Sequence, residues 1–300
     1  MSFPSFRTAI CVFLCSLALV GTTVHAEKGV SNTEIVIGMS APFHGVSGAE
    51  GSEMRDAIRA TFDQVNRSGG IYGRKLELVS FDDDAEPRRA AENTRALLQD
   101  HGVFALIGYF GDASVAAALP LIDEAKVPMV GAVAGADSLR HLSSPYLFHT
   151  RAGYDDEIAT MVSQFVSLKL TRIAVLYQDG AFGKAIADSF VGALKKYQLA
   201  PAAIVSIAPP SGFASEVDVS GAVQAFAKVQ PQAVFLLTPY KPAAELVLQM
   251  RKLGMFPQYL ALSTVGADQL GQLLGENGRG IGISQVMPYP WDDTLSVVKE

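Results

Sequence analysis

The sequence predicts an α/β protein made of two doubly wound parallel-sheet lobes. From Glu34 onward, short segments rich in β-branched residues alternate with segments whose apolar residues recur at helical spacing. A second run of the same alternation begins near Tyr154, and 300 residues suit two domains better than one. Because such alternation favours parallel sheets with right-handed crossovers, each run should form one lobe.

The first run contains four predicted strands and three predicted helices. Its opening strand, EIVIGMS, is rich in β-branched residues, and the helix that follows places Met54, Ile58, Phe62 and Val65 on one apolar face. The other strands are predicted at 75–81, 104–110 and 127–133, and the other helices at 87–99 and 113–125.

The second run repeats this order after the polar connection 141–156. Proline and glycine mark residues 209–216 as a loop within it. Its helices are predicted at 156–170, 182–197, 217–229 and 242–254, and its strands at 172–178, 201–208, 233–238 and 258–263.

The domain boundaries follow from these two runs. A strand within 280–288 is expected to return toward the first lobe, and a helix begins within 288–300. We therefore expect lobe 1 to comprise residues 27–148 together with 282–300, and to be incomplete at its carboxyl end. Lobe 2 is expected to comprise residues 149–281.

Residues 1–26 have the features of a secretory signal peptide. Arg7 precedes an apolar stretch from Ala9 to Val20. That stretch is shorter than the roughly 20 residues that span a bilayer. Small or apolar residues precede a cleavage point after Ala26, so we expect a protein exported to the periplasm. Both cysteines lie inside this segment, which leaves the mature chain without a disulfide or a thiol nucleophile.

Composition and motifs argue against several classes of function. The formal charge of −6 argues against binding to nucleic acid. The four histidines after residue 26 show no metal-ligand spacing such as i, i+4, so neither a metal nor another cofactor is expected. The G-x-S-x-G pattern of a nucleophile elbow is missing, and we do not expect an enzyme.

The stretch NRSGGIYGRKLELVSFDDD, residues 66–84, combines a glycine-rich turn with three acids. A phosphate site needs such glycines at a helix amino terminus, whereas Gly69 and Gly70 follow a predicted helix and precede a strand. We expect the glycines to end that helix in a left-handed conformation. The acids Asp82–Asp84 are expected to start the next helix by capping its free N–H groups.

Loops at the carboxyl ends of the predicted strands should line a cleft between the lobes. They include SAPFHGVSGAEG, which contributes Phe43, and YFGDAS, which contributes Phe110. Aromatic and charged residues also cluster in TRAGYDDE, at the crossing between the lobes, and in LYQDGAFG, after a strand of the second lobe. For Arg151 and Asp179, a structural role in a hinge or a cap is as well supported as a binding role.

Several of these segments resemble the type I periplasmic binding proteins, and more closely their leucine/isoleucine/valine-binding group. They include IVIGMSAPFHGVSG, FDQVNRSGGIYGRKLELVSFDDDAEPRRA, FHTRAGYDDE and AVLYQDGAFGKA, and the resemblance covers nearly the whole chain after residue 26. It implies two lobes, three hinge crossovers, and a cleft that captures a solute. It also implies an ABC transporter permease as the partner of a protein that we expect to be a monomer.

The resemblance also implies ligand-binding residues. In amino-acid-binding members, the loop after the third strand supplies a hydroxyl to the ligand's α-carboxylate, and the loop after the fourth strand supplies backbone groups. A glutamate after the strand that is QYLAL here holds the ammonium. The corresponding residues of this sequence are Asp112, Ala113, Ser114, Ala134, Gly135, Ala136, Tyr154, Asp179, Phe182, Ser263 and Thr264.

Two departures from the family pattern bear on the ligand. Asp112 introduces a carboxylate where a ligand carboxylate is expected, and Ser263 stands in place of the glutamate. We therefore expect no branched-chain amino acid in the usual pose. A different small organic solute is expected instead, or an amino acid whose ammonium pairs with Asp112. As an alternative function, the same cleft would serve as the input module of a signalling receptor.

Overall fold

A computed structural model describes residues 27–45, 47–141, 144–208, 217–289 and 292–299. The predicted signal peptide and the predicted loop 209–216 lie outside the described residues. Within the described ranges, no helix has the length and apolar character needed to cross a membrane.

The first lobe is built on a parallel sheet of five strands with helices between them. The strands are β1 (Glu34–Ala41), β2 (Lys75–Asp82), β3 (Ala105–Ile107), β4 (Met129–Val130) and β5 (Leu147–Phe148). The helices are α1 (Gly48–Arg67), α2 (Pro87–Gln99), α3 (Asp112–Ala125) and α4 (Asp137–Arg140).

The second lobe is built on another five-stranded parallel sheet. Its strands are β6 (Ile173–Gln178), β7 (Ala203–Ile207), β8 (Ala233–Leu237), β9 (Gln258–Ala261) and β10 (Ile281–Ile283). Its helices are α5 (Tyr154–Ser167), α6 (Ala181–Lys195), α7 (Ser220–Val229), α8 (Tyr240–Lys252) and α9 (Ala267–Leu274). A short helix, α10 (Ser296–Lys299), lies near the end of the chain.

The two sheets have the same topology. Their strand orders are β2-β1-β3-β4-β5 and β10-β9-β8-β6-β7, so each lobe follows the order 2-1-3-4-5 when its strands are counted along the chain. The connections change direction between β1 and β3 in the first sheet and between β6 and β8 in the second. Ligands of doubly wound sheets bind beyond the strand ends at such switch points. The predicted fold class is therefore confirmed.

The last strand corrects one sequence prediction. The strand expected within 280–288 does form, but it does not return to the first lobe. Its residues Ile281 and Ile283 pair in parallel with Tyr259 and Ala261 of β9. The boundary drawn after residue 281 is therefore wrong by at least two residues, because Gly282 and Ile283 belong to β10, which completes the edge of the second sheet.

Alternate residues of the central strands pack on opposite faces of the second sheet, as the pleat of a strand requires. Ala174 and Leu176 of β6 pack with α7, α8 and α9, whereas Ile173 and Val175 pack with α5 and α6. The neighbouring strand β8 is buried along its whole length. This two-sided burial explains why the strands read as continuous apolar runs in the sequence.

The glycines of the turn after α1 behave as predicted. Gly69 and Gly70 have φ values of 101° and 72°, the left-handed region that glycine adopts at little cost. A side chain at Gly70 would also collide with the backbone, because an added Cβ would lie 2.1 Å from the Arg74 carbonyl oxygen. These residues end α1 and turn the chain into β2.

The acids after this turn do not cap α2, so that prediction was wrong. Asp82 is the last residue of β2, and its Oδ1 accepts a hydrogen bond from the backbone N–H of Phe43 at 3.0 Å. Asp83 is fully buried and accepts a hydrogen bond from Ser40 Oγ at 2.8 Å. Helix α2 begins later, at Pro87, without a side-chain cap. Asp82 and Asp83 therefore face back toward the end of β1 and the loop after it, whereas Asp84 pairs with Arg89 of α2 at 3.2 Å.

Candidate ligand-binding cleft

A cavity of about 270 Å³ lies at the switch point of the second lobe. Its walls are the loops that follow β6, β8 and β9, and they include Asp179, Phe182 and Thr264, all three of which the sequence predicted as ligand-binding. A larger concavity of about 910 Å³ lies between α8, α9 and the start of α7, away from the strand ends. Its lining includes Val217, which directly follows residues outside the described ranges. Because ligands of doubly wound sheets bind at the strand ends, we place the candidate site in the smaller cavity at the switch point.

Two polar groups in the smaller cavity have no hydrogen-bond partner among the described residues. They are the hydroxyl of Thr238, which follows β8 and is 7% exposed, and Oε1 of Gln178, the last residue of β6. Buried polar atoms are nearly always hydrogen-bonded, so unpaired ones that line a cavity indicate where a ligand binds. Gln178 lies in the segment LYQDGAFG and Thr238 ends the predicted strand 233–238, but the sequence singled out neither residue.

The exposed residues of the same wall combine polar and apolar character. The Asp179 carboxylate accepts a hydrogen bond from the N–H of Gly180 at 2.9 Å. In the described contacts, no side chain caps the N–H groups at the start of α6. Phe182 is 48% exposed although it is a large apolar side chain, and Thr264 is exposed beside it. An exposed aromatic ring beside hydrogen-bonding groups is typical of a small-molecule site.

The first-lobe side of the cleft centres on Asp112, the first residue of α3. Its Oδ1 accepts hydrogen bonds from the backbone N–H groups of Gly135 at 2.9 Å and Ala136 at 2.8 Å. These are the backbone groups that the family resemblance assigns to the ligand's carboxylate. Here they are already paired with a carboxylate of the protein itself.

The remaining predicted residues of this lobe lie close to Asp112 in the chain. Ala134 and Ser114 are buried, whereas Ala113 is exposed. Phe110 forms an isolated parallel bridge with Val133, which ties the loop after β3 to the loop after β4. The structure thus brings these two predicted loops together at one edge of the first sheet.

Phe43 has a different environment from the other predicted residues. Its half-buried ring lies under the guanidinium of Arg55 in α1, with 4.5 Å between Cζ and the ring centroid. Its backbone N–H is held by Asp82. A cation–π contact and this hydrogen bond fix the loop after β1 in place.

Tyr154 connects the two sides of the cleft. It begins α5 and is 4% exposed, and its ring meets Phe182 edge-on with 5.4 Å between the centroids. The ring also lies against Gly135, where an added Cβ would be 2.7 Å from it. Burial raises the pKa of the Tyr154 hydroxyl above its usual range, and the negative charge of Asp112 raises it further.

A buried ionic network holds the crossings between the lobes. Glu157 of α5 accepts hydrogen bonds from Arg151 Nη2 at 2.5 Å, from Ser284 Oγ at 2.5 Å, and from the backbone N–H and Oγ of Ser263 at 3.1 and 3.0 Å. The Arg151 and Glu157 side chains are 3% and 2% exposed. Arg151 therefore has the structural role that the sequence left open, and the Ser263 hydroxyl is already committed to Glu157.

No group of three or more metal-ligating side chains occurs in the described part of the chain. The polar groups of the cleft are instead hydrogen-bond acceptors and hydroxyls, with one buried arginine that is paired to Glu157. Such an arrangement can orient a small molecule without assembling a metal centre.

Comparison with known proteins places this arrangement in a family. The family model described as "Periplasmic binding protein" matches residues 34–299. The chain is 24% identical over 269 residues to Leu/Ile/Val-binding protein homolog 3 of Brucella melitensis, a match that covers 89% of this chain and 71% of that protein.

Solved structures agree with the family match. A substrate-binding periplasmic protein from Ralstonia solanacearum is similar with a TM-score of 0.77 and 32% identity, over 89% of this chain and 74% of that one. The branched-chain amino acid transporter substrate binding protein LivJ of Streptococcus pneumoniae, in complex with isoleucine, is similar with a TM-score of 0.71 and 25% identity, over 84% and 70%. The chain thus spans about seven tenths of the length of these relatives. It belongs to the periplasmic binding protein family, among relatives named for leucine, isoleucine and valine.

Proposed function

We propose that this protein is the solute receptor of an ABC transporter. It captures a small organic solute, an amino acid or a related metabolite, between its two lobes. The lobes close by rotation about the crossovers, and the closed form is presented to a permease in the membrane. In this proposal residues 1–26 direct export to the periplasm, where the mature chain acts as a monomer.

The observation that carries the proposal is the cavity at the second switch point. It lies where ligands of doubly wound sheets bind, and Thr238 and Gln178 contribute unpaired polar atoms to it. Its volume of about 270 Å³ is just below the roughly 300–1,000 Å³ of sites for drug-sized ligands. A solute of amino-acid size suits such a space.

The buried ionic network around Glu157 supports the proposal that the two lobes close about their crossings. Glu157 receives hydrogen bonds from the segment that enters the second lobe and from Ser284, which lies just beyond its last strand. Both connections therefore converge on one carboxylate. Domain closure around a ligand uses a few residues at element ends as hinges, which is the position of this network.

Binding without turnover is the function that the cleft chemistry favours. Among the described contacts, the hydroxyls of Ser114, Thr238 and Thr264 make no hydrogen bond to a histidine. Nucleophilic catalysis needs a base within hydrogen-bonding reach of the nucleophile. Capture followed by release requires no such pair.

A thermal-shift screen against a metabolite library tests the proposal. A solute that binds the folded protein alone raises the melting temperature, by mass action. We expect at least one amino acid or related metabolite to do so, and small-angle scattering to show a smaller radius of gyration in its presence. If no library member raises the melting temperature, or if the hit is chemically converted, the proposed function is wrong.

Branched-chain amino acids are the informative ligands within that screen. The S. pneumoniae relative was solved with isoleucine, but Ser263 stands here where the family has its ammonium-binding glutamate, and its hydroxyl is bonded to Glu157. We therefore expect leucine, isoleucine and valine to bind weakly or not at all. Calorimetry that gives sub-micromolar affinity for any of the three would contradict this part of the proposal.

A further inference from the structure

The backbone donors after β4 are occupied by the protein's own side chain. Gly135 and Ala136 offer consecutive N–H groups at the start of α4, and both donate to Asp112 Oδ1, at 2.9 and 2.8 Å. Consecutive backbone N–H groups that converge on one point form an anion-binding concavity. Asp112 fills this one, so a ligand carboxylate cannot use the same donors while Asp112 stays in place.

Tyr154 lies on a second side of Asp112. The charge of Asp112 raises the pKa of the Tyr154 hydroxyl, and Tyr154 is buried against Gly135 and Phe182. A carboxylate has about four acceptor sites, of which the N–H groups of Gly135 and Ala136 use two. Asp112 therefore repels an anionic group that approaches it and retains the capacity to accept a hydrogen bond from a ligand.

The opposite wall also offers acceptors. Oε1 of Gln178 can only accept a hydrogen bond, and it lines the cavity without a partner in the described chain. The Thr238 hydroxyl, 7% exposed, lines the same cavity and is likewise unpaired. The Asp179 carboxylate lies beside them. Groups of this kind suit a ligand that donates hydrogen bonds.

The arginine that lies over the Tyr154 ring is not available to a ligand carboxylate. The Arg151 guanidinium is paired with Glu157, and both side chains are almost fully buried. The cavity wall also includes the Thr264 side chain and the apolar side chains of Phe182, Leu237 and Leu262. The cleft thus combines acceptors, negative charge and an apolar surface.

We propose that Asp112 acts as a built-in substitute for a ligand carboxylate and makes the receptor selective for solutes with a primary amine, an apolar body and no carboxylate at that end. This inference rests on the proposed receptor function and names its ligand class. Asp112 is then a specificity-determining residue, because it blocks the anion site and pairs with the amine.

Paired ligands test the selectivity directly. Each apolar α-amino acid is compared with the amine that remains when its carboxylate is removed, for example leucine with 3-methylbutylamine, by thermal shift and calorimetry on the full mature chain. We expect at least one amine to bind the wild-type protein at least about tenfold more tightly than its parent amino acid, a factor that corresponds to 1.4 kcal/mol. Equal or tighter binding of the parent amino acids, or no binding by any amine, overturns the inference.

Substitutions at Asp112 test the mechanism. Asp112→Ser frees the two N–H groups and supplies a hydroxyl, so it should lose the amine and bind leucine at least about tenfold more tightly than the wild type does. Asp112→Asn keeps an oxygen on both N–H groups but removes the charge, so it should lose the amine without gaining leucine. Asp123→Ser removes an equal charge from an exposed site of the same helix, where the carboxylate accepts a hydrogen bond from Ser144, and should change neither affinity.

These outcomes separate the two proposals. If Asp112→Ser folds with a wild-type circular dichroism spectrum and still gains no affinity for leucine, the inference that Asp112 takes the place of a ligand carboxylate is wrong. If the wild-type protein binds α-amino acids at least as tightly as the corresponding amines, the receptor function stands and this inference fails. If no metabolite binds at all, the receptor function itself fails.

Discussion

The loop after β4 in the first lobe presents backbone groups whose hydrogen bonds are already made, whereas the loops after β6 and β8 in the second lobe present polar atoms that lack partners among the described residues. In the first lobe, the N–H groups of Gly135 and Ala136 donate hydrogen bonds to Asp112. In the second lobe, Thr238 and Gln178 line a cavity with polar atoms that no described residue satisfies. Since both sheets have the same topology, the side chains at the strand ends cause this difference.

The difference indicates a division of roles between the lobes. A surface whose donors and acceptors are paired is rigid before a ligand arrives, and it selects ligands mainly by exclusion. A surface with unpaired buried groups carries a desolvation cost that a ligand can relieve. We therefore interpret the first lobe as the selective side and the second lobe as the side that supplies new hydrogen bonds.

The largest effect is expected at the junction of the two lobes. Glu157→Ala leaves the Arg151 guanidinium buried without its partner and removes the acceptor of Ser263 and Ser284. Breaking a buried ion pair costs about 3–5 kcal/mol, so the free energy of unfolding in urea should fall by that amount. The matched control is Lys184→Ala, which breaks an exposed pair with Asp188 and should leave stability unchanged. Equal losses in the two variants would show that the buried network does not hold the lobes.

A smaller loss of stability should distinguish the two walls. Asp112→Ala leaves the N–H groups of Gly135 and Ala136 without their acceptor, and we expect the ligand-free protein to lose about 1–3 kcal/mol of unfolding free energy. Asp179→Ala on the opposite wall removes a carboxylate that bonds the adjacent Gly180 N–H, and should change stability little. Denaturation curves of both variants give the comparison, and a larger loss in Asp179→Ala would reverse the assignment of the walls.

The opposite sign is expected at Thr238. Replacing it with valine keeps the shape and removes an unpaired buried hydroxyl, so the ligand-free protein should gain up to about 1 kcal/mol while its affinity for the ligand falls. Thr264→Val, at an exposed threonine of the same cavity, should alter stability much less. Loss of stability in Thr238→Val, measured by urea unfolding with calorimetry on the same preparation, would mean that the hydroxyl has a partner within the protein.

The smallest effect is a pH dependence at the crossing between the lobes. Burial lowers the pKa of His149, the nearby charge of Arg140 lowers it further, and a hydrogen bond to the Leu139 carbonyl partly offsets both. The unfolded chain therefore binds a proton more readily, so stability rises with pH and is lost as pH falls below about 6.5. Unfolding at pH 7.5 and 5.5 should show this, and His149→Gln should reduce it. His141→Gln, at an exposed histidine, should preserve the pH dependence of stability. An equal reduction of this dependence in His141→Gln would show that it does not come from His149.

The fold could be predicted because its pattern is repeated and strong. The alternation of apolar strands and amphipathic helices fixes the parallel class, and Gly69 and Gly70 adopt the left-handed turn that their position required. The assignment of β10 to the wrong lobe has a physical cause. A three-residue edge strand such as Ile281–Ile283 contains nothing that specifies which sheet edge it joins, since that depends on the path of the chain in space.

The direction of a side chain was the other property that the sequence did not contain. Acids before a helix are usually caps, but Asp83 faces Ser40 across the end of the strand and is fully buried. Thr238 ends a predicted strand, and its burial and lack of a partner among the described residues are properties of the folded chain. Glu157 was overlooked because two of its three partners, Ser263 and Ser284, are 106 and 127 residues away in the sequence.

The central claim is that the N–H groups after β4 are paired with Asp112 before any solute binds. Hydrogen exchange of the backbone N–H groups of Gly135 and Ala136 in the ligand-free protein, followed by NMR, tests it most directly. Because both groups donate to Asp112 Oδ1, we predict that they exchange slowly in the wild-type protein and rapidly in Asp112→Ala. Rapid exchange of both groups in the ligand-free wild type, with protection gained when a solute is added, would contradict the claim.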